Sequence, residues 1–359
     1  MVEPGVHATL AARVAPSLEQ WFSDNARDLS WRKTRDPYAI WVSEIMLQQT
    51  RVVTVERYWG AFLERFPSVE VLAEAREDAV LGAWSGLGYY RRARLLHKGA
   101  RHLMEHHAGH LPRDASALQA VPGIGRYTAG AVASIAFDQP VPLVDGNVAR
   151  VHSRLSRIRD AKTQRPESAV HWSFVTEVLK HGSPRALAQA LMELGATVCT
   201  PRSPRCDVCP VEANCFARKA GEEGAIPAPK KKKMSPRTVY WAVALRWGEG
   251  VLLERREASG LLAGLWCLPL VENHGQDIAE VGEEVSDRFG LALRHESIIS
   301  KPLEHVFSHR IWVLNLWIGR LTRRPRLRKR NDGRELALHH HAIEGGIPSV
   351  TIKLLRQVY

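Results

Sequence analysis

Apolar residues recur at helical spacing from about residue 8 to residue 220, and as short strand-like runs beyond about residue 238. Trp21 and Phe22 sit on an early amphipathic stretch, and Ile40 to Phe66 reads as one long helix stopped by Pro67. Ala115 to Phe137 reads as two helices broken at Pro122-Gly123-Ile124-Gly125. A further helix opens on Ser183-Pro184, an N-cap and first-turn pair. It carries Leu187, Ala190, Leu191 and Leu194 at i, i+3, i+4 and i+7, with its end expected at Gly195. The pattern then changes. Ile226 to Arg237, rich in Pro and Lys, reads as an exposed linker. Val239–Trp247, Val251–Arg255 and Ile311–Ile318 read as strands, with a helix from about Ile278 to Phe289 between them, so an α+β domain is expected there. Thr322 to Arg334 is basic and aperiodic, and reads as a loop.

Length and charge extend this picture. A chain of 359 residues is too long for one ordinary core, which fits the change of texture near residue 226. Fifty Lys and Arg face 38 Asp and Glu, net +12, a balance that favours polyanions and nucleic acid first among them. No apolar run approaches the roughly 18 residues of a membrane span. Met1 to Pro16 lacks the basic-then-apolar form of a secretory signal, so neither export nor a membrane is expected. Most of the 11 Trp are expected in the core. Five cysteines, an odd number, argue against a disulfide framework.

Four of those cysteines carry the first chemistry. Cys199, Cys206, Cys209 and Cys215 are spaced Cys-x6-Cys-x2-Cys-x5-Cys. Thiolates are soft ligands that suit an iron–sulfur cluster or zinc. Zinc sites of four Cys usually come as two short pairs far apart. Here only Cys206 and Cys209 form a short pair, which favours a [4Fe–4S] cluster held by one compact loop. Arg202, Arg205, Arg218 and Lys219 in that loop could offset cluster charge or meet phosphates. Gly123 and Gly125 permit a tight turn with free N–H groups at a helix start, a device that accepts phosphate without reading sequence. Asp145 stands just ahead of a helical pattern and reads both as an N-cap and as an ionised carboxylate able to face a developing cation. Glu44 is the only charge between Pro37 and Arg51. Among such neighbours its pKa can rise enough for it to act as an acid near neutrality, unless it is half exposed and paired with an Arg.

Together these segments resemble the helix–hairpin–helix DNA glycosylases, and within them the adenine glycosylases of the MutY type. The carrying segments are Trp31-Arg32, Trp41-Val-Ser-Glu-Ile-Met-Leu-Gln-Gln-Thr50, Gly86-Leu-Gly-Tyr-Tyr-Arg91, Leu118 to Gly130, Val144-Asp-Gly-Asn-Val148 and the cysteine run. The resemblance covers nearly the whole chain. It implies an all-helical region 1–225. This comprises a barrel of about 31–144, containing a hairpin 118–131, and a cluster module from 1–30 with 145–225, its loop at 199–215. It implies a Nudix-like domain at 238–359 after the linker 226–237. The implied substrate is adenine opposite 8-oxoguanine, or opposite guanine, in duplex DNA. Glu44 matches the general acid that protonates adenine at N7, and Asp145 the carboxylate that meets the oxocarbenium ion. Asn147 and Tyr127 match their supports. Arg32, Gln48, Gln49, Thr50, Tyr89, Gly123 and Gly125 fall at DNA-contacting positions, Gln48, Gln49 and Tyr89 beside the flipped base or lesion.

Siblings that cut pyrimidine lesions carry a Lys at the position of Tyr127, which disfavours that alternative and implies a glycosylase without a lyase step. A damage-binding protein without catalysis is disfavoured by the presence of both carboxylates. In the second domain Gly264-Leu-Trp-Cys-Leu-Pro269 resembles the start of a Nudix motif, but the metal-binding helix is degraded to Glu280-Val-Gly-Glu-Glu-Val-Ser-Asp-Arg-Phe-Gly290, so no pyrophosphohydrolase activity is expected. Phe307, Ser308 and His309 match the loop that reads the lesion, the Ser308 hydroxyl accepting from N7–H of 8-oxoguanine. A bacterial, cytoplasmic monomer working on the chromosome is expected.

Overall fold

The computed structural model describes residues 4–228, 234–325, 335–339 and 345–359. Lys230 to Lys233 of the expected linker, and residues 326–334 of the basic stretch, lie outside the described residues. The chain divides into two compact units, Met1–Glu74 with Leu95–Lys231 and Ala75–Arg94 with Lys232–Tyr359.

The described part of the first unit is helical. It holds α1 (Pro4–Asn25), α2 (Pro37–Leu47), α3 (Val52–Arg65) and α4 (Val69–Glu74); α5 (Glu77–Ala83) belongs to the second unit. α6 (Arg91–His107) has its first turn in the second unit and the rest in the first. Then come α7 (Ala115–Ala120), α8 (Arg126–Ala131) running into a π turn at Val132–Ala136, α9 (Gly146–Leu155), α10 (Ala169–Val178), α11 (Pro184–Thr197) and α12 (Phe216–Lys219). Side-chain caps start four of them: Asp36 on α2, Asp114 on α7, Asp145 on α9 and Ser183 on α11. One core gathers Leu10, Val14 and Leu18 of α1 with Val148, Val151, Phe174, Val178, Leu187 and Leu191 of α9, α10 and α11.

Two helix expectations need correction. The stretch Ile40 to Phe66 is two helices, not one. Gln49, at φ 58, sits in the left-handed region between them, a conformation that no glycine or proline announces. α11 also runs two residues past Gly195, which is kept in the helix by close packing: a Cβ there would lie 2.6 Å from Cβ of Asn147.

The second unit is a mixed sheet between helices. β1 (Arg237–Trp247), β2 (Gly250–Arg255), β3 (Trp266–Cys267), β4 (Leu270–Glu272), β5 (Leu293–Val306), β6 (Ile311–Leu321) and β7 (Leu336–His339) are joined by α13 (Ile278–Phe289) and α14 (Ser349–Val358). The order is β3-β2-β1-β6-β5, with β1 parallel to β6, β4 paired to β1 and β7 to β2. The centre of β1, Ala242 to Leu245, is buried on both faces. Ala242 and Ala244 join Val350 and Leu354 of α14. Val243 and Leu245 join Val281, Val285 and Phe289 of α13. α13 carries a capping box, Asp277 with Glu280, and ends at Gly290 in the left-handed conformation. Residues 75–94 group with the strands in the second unit: Arg255 pairs with Asp78 at 2.6 Å, and the Tyr90 hydroxyl donates to the Ile347 carbonyl at 2.7 Å. Seven of the 11 Trp are buried, namely Trp31, Trp41, Trp84, Trp172, Trp266, Trp312 and Trp317, as the sequence reading expected.

Candidate active site

In the first unit a cleft of about 870 Å³ gathers Glu44, Tyr127, Asp145 and Asn147 with Arg32, Gln48, Gln49, Thr50, Gly123 and Gly125. The ten come from four separate sequence segments and share one cavity. α2 brings Glu44. Eight of its other residues, Tyr38 to Met46, are buried with it, so the carboxyl is carried into an apolar wall and is only 5% exposed. Burial raises its pKa to about 7. The nearby Asp145 adds to the rise, while a hydrogen bond from Tyr127 and the charge of Arg32 oppose it. The Tyr127 hydroxyl lies 3.1 Å from Glu44 Oε2 and 3.2 Å from Met192 Sδ, and its single proton suits the carboxylate. Gln48 donates to the Thr128 hydroxyl at 3.3 Å, fixing the start of the left-handed Gln49 turn.

Asp145 caps α9. Its Oδ1 accepts from the backbone N–H groups of Asn147 and Val148 at 2.9 and 2.8 Å, and its Oδ2 from the Asn147 amide at 2.8 Å. The donors that favour ionisation are therefore present as expected, but burial outweighs them and moves its pKa up from the usual carboxylate value. Behind it stands a group the sequence reading did not single out. The Arg150 guanidinium donates to Asn147 Oδ1 at 2.8 Å, to the Gly195 carbonyl at 2.7 Å and to the Cys199 carbonyl at 2.8 Å. One arginine so joins the Asp145–Asn147 pair to the first residue of the cysteine loop.

A third carboxylate in the cleft is tuned the other way. Glu193 is 1% exposed, and burial alone would raise its pKa. Arg27 grips it through two bonds of 2.7 Å and Arg32 through a third of 2.7 Å, and these hold it down at about 2. Arg32, expected to meet DNA, is thus engaged in an ion pair at the cleft wall. One carboxyl near neutrality beside one held ionised is the arrangement that separates acid from anion in a single site.

At the hairpin Gly123 requires glycine, with φ 87 and a Cβ that would lie 2.9 Å from Cβ of Leu95, and so does Gly130, whose Cβ would collide with the Pro142 carbonyl oxygen. Gly125 is extended, caps α8 and has nothing within 4 Å, which leaves its backbone open to an approaching group.

The four cysteines line one recess beneath α9 and α11. Among the described residues no group of three His, Cys, Asp or Glu is placed to hold a single metal ion. Burial pushes the Cys209 thiol up to about 12, so forming thiolates there calls for the compensating charge of metal. Two of the expected loop cations are engaged elsewhere: Arg218 pairs with Glu212 and Glu223, and Arg205 donates to the Thr197 carbonyl. It is the buried Arg154 that reaches Cys199 Sγ, at 3.3 Å.

In the second unit Tyr89 shares a recess of about 620 Å³ with Phe307, Ser308 and His309. These three lie in the turn between β5 and β6, closed by the Phe307 N–H bonding the Arg310 carbonyl at 2.8 Å. The Phe307 ring is anchored edge-on to Trp312, while Ser308 and His309 are exposed and lie 3.2 Å apart, Oγ to Nδ1. On α13 the acidic pattern is interrupted by Arg288, whose Nη2 donates to both carboxylate oxygens of the buried Glu254.

The sequence matches the profile of the HhH-GPD superfamily base excision DNA repair proteins over residues 42–175, the iron–sulfur binding domain of endonuclease III over 199–215 and the NUDIX domain over 240–357. The chain is 37% identical to the adenine DNA glycosylase of Rattus norvegicus, over 82% of this chain and 67% of that protein. It is 38% identical to that of Homo sapiens over 71% and 57%. It therefore spans between about half and two thirds of the length of these relatives. Among solved structures, a thermostable thymine-DNA glycosylase superposes with a TM-score of 0.54 at 25% identity, covering 59% of this chain and 98% of that one. No described helix is long and apolar enough to cross a membrane. The cysteine recess is the iron–sulfur site of this lineage, and the chain belongs to the adenine DNA glycosylase family of the helix–hairpin–helix base-excision repair superfamily.

Proposed function

We propose that this protein is a monofunctional glycosylase that removes adenine opposite 8-oxoguanine, and opposite guanine, from duplex DNA. The observation that carries the reading is the meeting of Glu44, Tyr127 and Asp145 in one cleft, with the Glu44 pKa near 7. Adenine leaves poorly until protonated. A carboxyl of that pKa is protonated in a large fraction of molecules at neutral pH and donates to N7. The C1′–N9 bond then breaks with its electron pair leaving on the base. Positive charge grows at C1′, where Asp145 faces it, directly or through a transient ester. Water adds to C1′ and surrenders its proton to the Glu44 carboxylate, which resets the acid and leaves adenine and an abasic site. General-acid help is worth roughly 10²–10⁴-fold, and fixed charge at Asp145 supplies a comparable share. Asn147 holds Asp145, and Tyr127 orients Glu44.

Because Tyr127 offers no amine, the sugar is attacked by water and no strand-cleaving Schiff base forms. Gln48, Gln49, Thr50 and the hairpin glycines serve the flipped strand, and Tyr89 wedges beside the lesion. Ser308 and His309 read 8-oxoguanine from the 238–359 domain, which has no pyrophosphohydrolase activity of its own. Cys199, Cys206, Cys209 and Cys215 would hold a [4Fe–4S] cluster that supplies cross-links for the loop, and bond cleavage does not pass through it. The enzyme acts as a monomer on the bacterial chromosome. Single-turnover excision on an adenine:8-oxoguanine duplex, with Glu44→Gln as control, tests the reading. Excision by the wild type and not by the variant is expected. An inactive wild type, or a strong borohydride-trapped adduct, would overturn it.

A further inference from the structure

The loop Trp84 to Tyr90 takes an unusual path. Gly86 and Gly88 have φ 102 and 71, and Tyr89, with a side chain to accommodate, has φ 48. A tyrosine keeps a left-handed backbone only where its surroundings over-determine it. Those surroundings are one buried guanidinium and one buried indole. Arg92 Nη2 donates to the Gly88 carbonyl at 3.1 Å and the Leu87 carbonyl at 3.3 Å, and its own N–H to the Tyr89 carbonyl at 2.9 Å. Trp84 Nε1 adds a bond of 3.1 Å to the same Gly88 carbonyl. The Arg92 guanidinium carbon also lies 5.5 Å from the centre of the Tyr89 ring and 5.4 Å from that of Trp84. Arg92 is 8% exposed while Tyr89 is 47% exposed. A cation out of reach of solvent thus holds the backbone just ahead of Tyr89 and lies over the Tyr89 ring.

We infer that Arg92 is a positioning residue: it presets Tyr89 in the left-handed, outward-facing conformation in which the ring enters the DNA stack, so that ordering the loop is complete before DNA arrives. This rests on the reading of Tyr89 as the wedge. The planar guanidinium is essential to it, because Nη2 bonds both carbonyls while the plane lies over the Tyr89 and Trp84 rings, and a compact ammonium lacks that plane.

The test uses full-length, cluster-containing protein with Arg92→Met, Arg92→Lys, Tyr89→Ala and the Arg92→Met/Tyr89→Ala pair. Two readouts apply: single-turnover excision, and the ¹⁹F resonance of 3-fluorotyrosine at position 89 without DNA. Displacing a preset contact of this kind typically costs one to two orders of magnitude. We expect Arg92→Met and Arg92→Lys each to slow excision roughly tenfold or more, Lys failing to rescue, and the double variant to be no slower than Tyr89→Ala. The ¹⁹F line should shift or broaden in both Arg92 variants. An unchanged ¹⁹F line, rescue by Lys, or multiplicative losses in the double variant would overturn the proposal. If Arg92→Met does not fold, the Lys variant with its ¹⁹F line decides alone. A Tyr89→Ala variant as fast as wild type would instead sink the wedge reading, leaving the ¹⁹F result to speak for the grip.

Discussion

Replacing Glu44 by Gln should make the protein more stable at alkaline pH and about 1 kcal/mol less stable in acid. The folded pKa of Glu44 is about 7, raised from an ordinary 4.5 by burial. Below 4.5 the carboxyl is neutral in both folded and unfolded chains, and burying it carries no charge penalty. Between the two values the unfolded chain gives up its proton while the folded one retains it, so stability falls as pH rises. Above 7 the folded protein carries a buried anion, and the whole difference is lost. Two and a half pH units at 1.36 kcal/mol each amount to about 3 kcal/mol. Gln cannot ionise and escapes that loss, while its weaker bond with Tyr127 costs about 1 kcal/mol at every pH. Urea unfolding of both proteins at pH 5 and pH 8.5, with the cluster followed by its visible absorbance, isolates the pH-dependent part. The gap should move in favour of the variant by about 2–3 kcal/mol between the two conditions. A gap that stays constant would mean that Glu44 is solvated in the folded state, and the acid role would lose its physical basis.

The same pKa sets the activity profile: single-turnover excision should decline as pH rises through about 7, because the acid must be protonated, and a rate still climbing there would exclude Glu44 as the donor. Asp145→Asn should lower excision by at least 10³-fold with little effect on duplex affinity, measured by single-turnover rates beside a filter-binding titration. Ser308→Ala should erode the preference for 8-oxoguanine over guanine by roughly 1–3 kcal/mol, and an unchanged ratio of rates on the two mispairs would remove Ser308 from recognition. Cys209→Ala should abolish visible absorbance and weaken DNA binding, and a colourless wild type that contains zinc would replace the cluster by that metal.

Much of the fold was written in local signals. Ser183-Pro184 and Asp145 are caps, and both helices start where those residues stand. The run from Val239 to Trp247 was recognisable as a strand because the centre of β1 is covered on both faces and so is apolar at successive positions. What local signals could not mark was the break at Gln49, where the backbone enters a left-handed turn without a glycine, or the short strands β3, β4 and β7, which need partners before they count as strands. The placement of residues 75–94 beside the strands rests on ion pairs and hydrogen bonds that span more than 170 positions of sequence, which no window can see.

The candidate site divides along the same line. Glu44, Tyr127, Asp145 and Asn147 could be named because groups that meet a substrate are tied to a reaction, and the reaction restricts their type. The residues that hold them carry no such mark. Glu193 is one acidic residue in an amphipathic helix until Arg27 and Arg32, more than 160 positions away, close on it. Arg150 is one basic residue in a helix until its fork spans Asn147, Gly195 and Cys199. Each is buried or nearly so, and each is a charge whose removal leaves its partners unpaired in a low-dielectric wall, at a typical cost of 3–5 kcal/mol. Arg150 makes the consequence specific. Its bonds run from the carboxamide that holds Asp145 to the backbone of the first cysteine, so the fold of the cysteine loop bears on the geometry of the carboxylate. Loosening the loop frees one end of the guanidinium, and the other end supports the Asn147 amide that holds the Asp145 carboxylate.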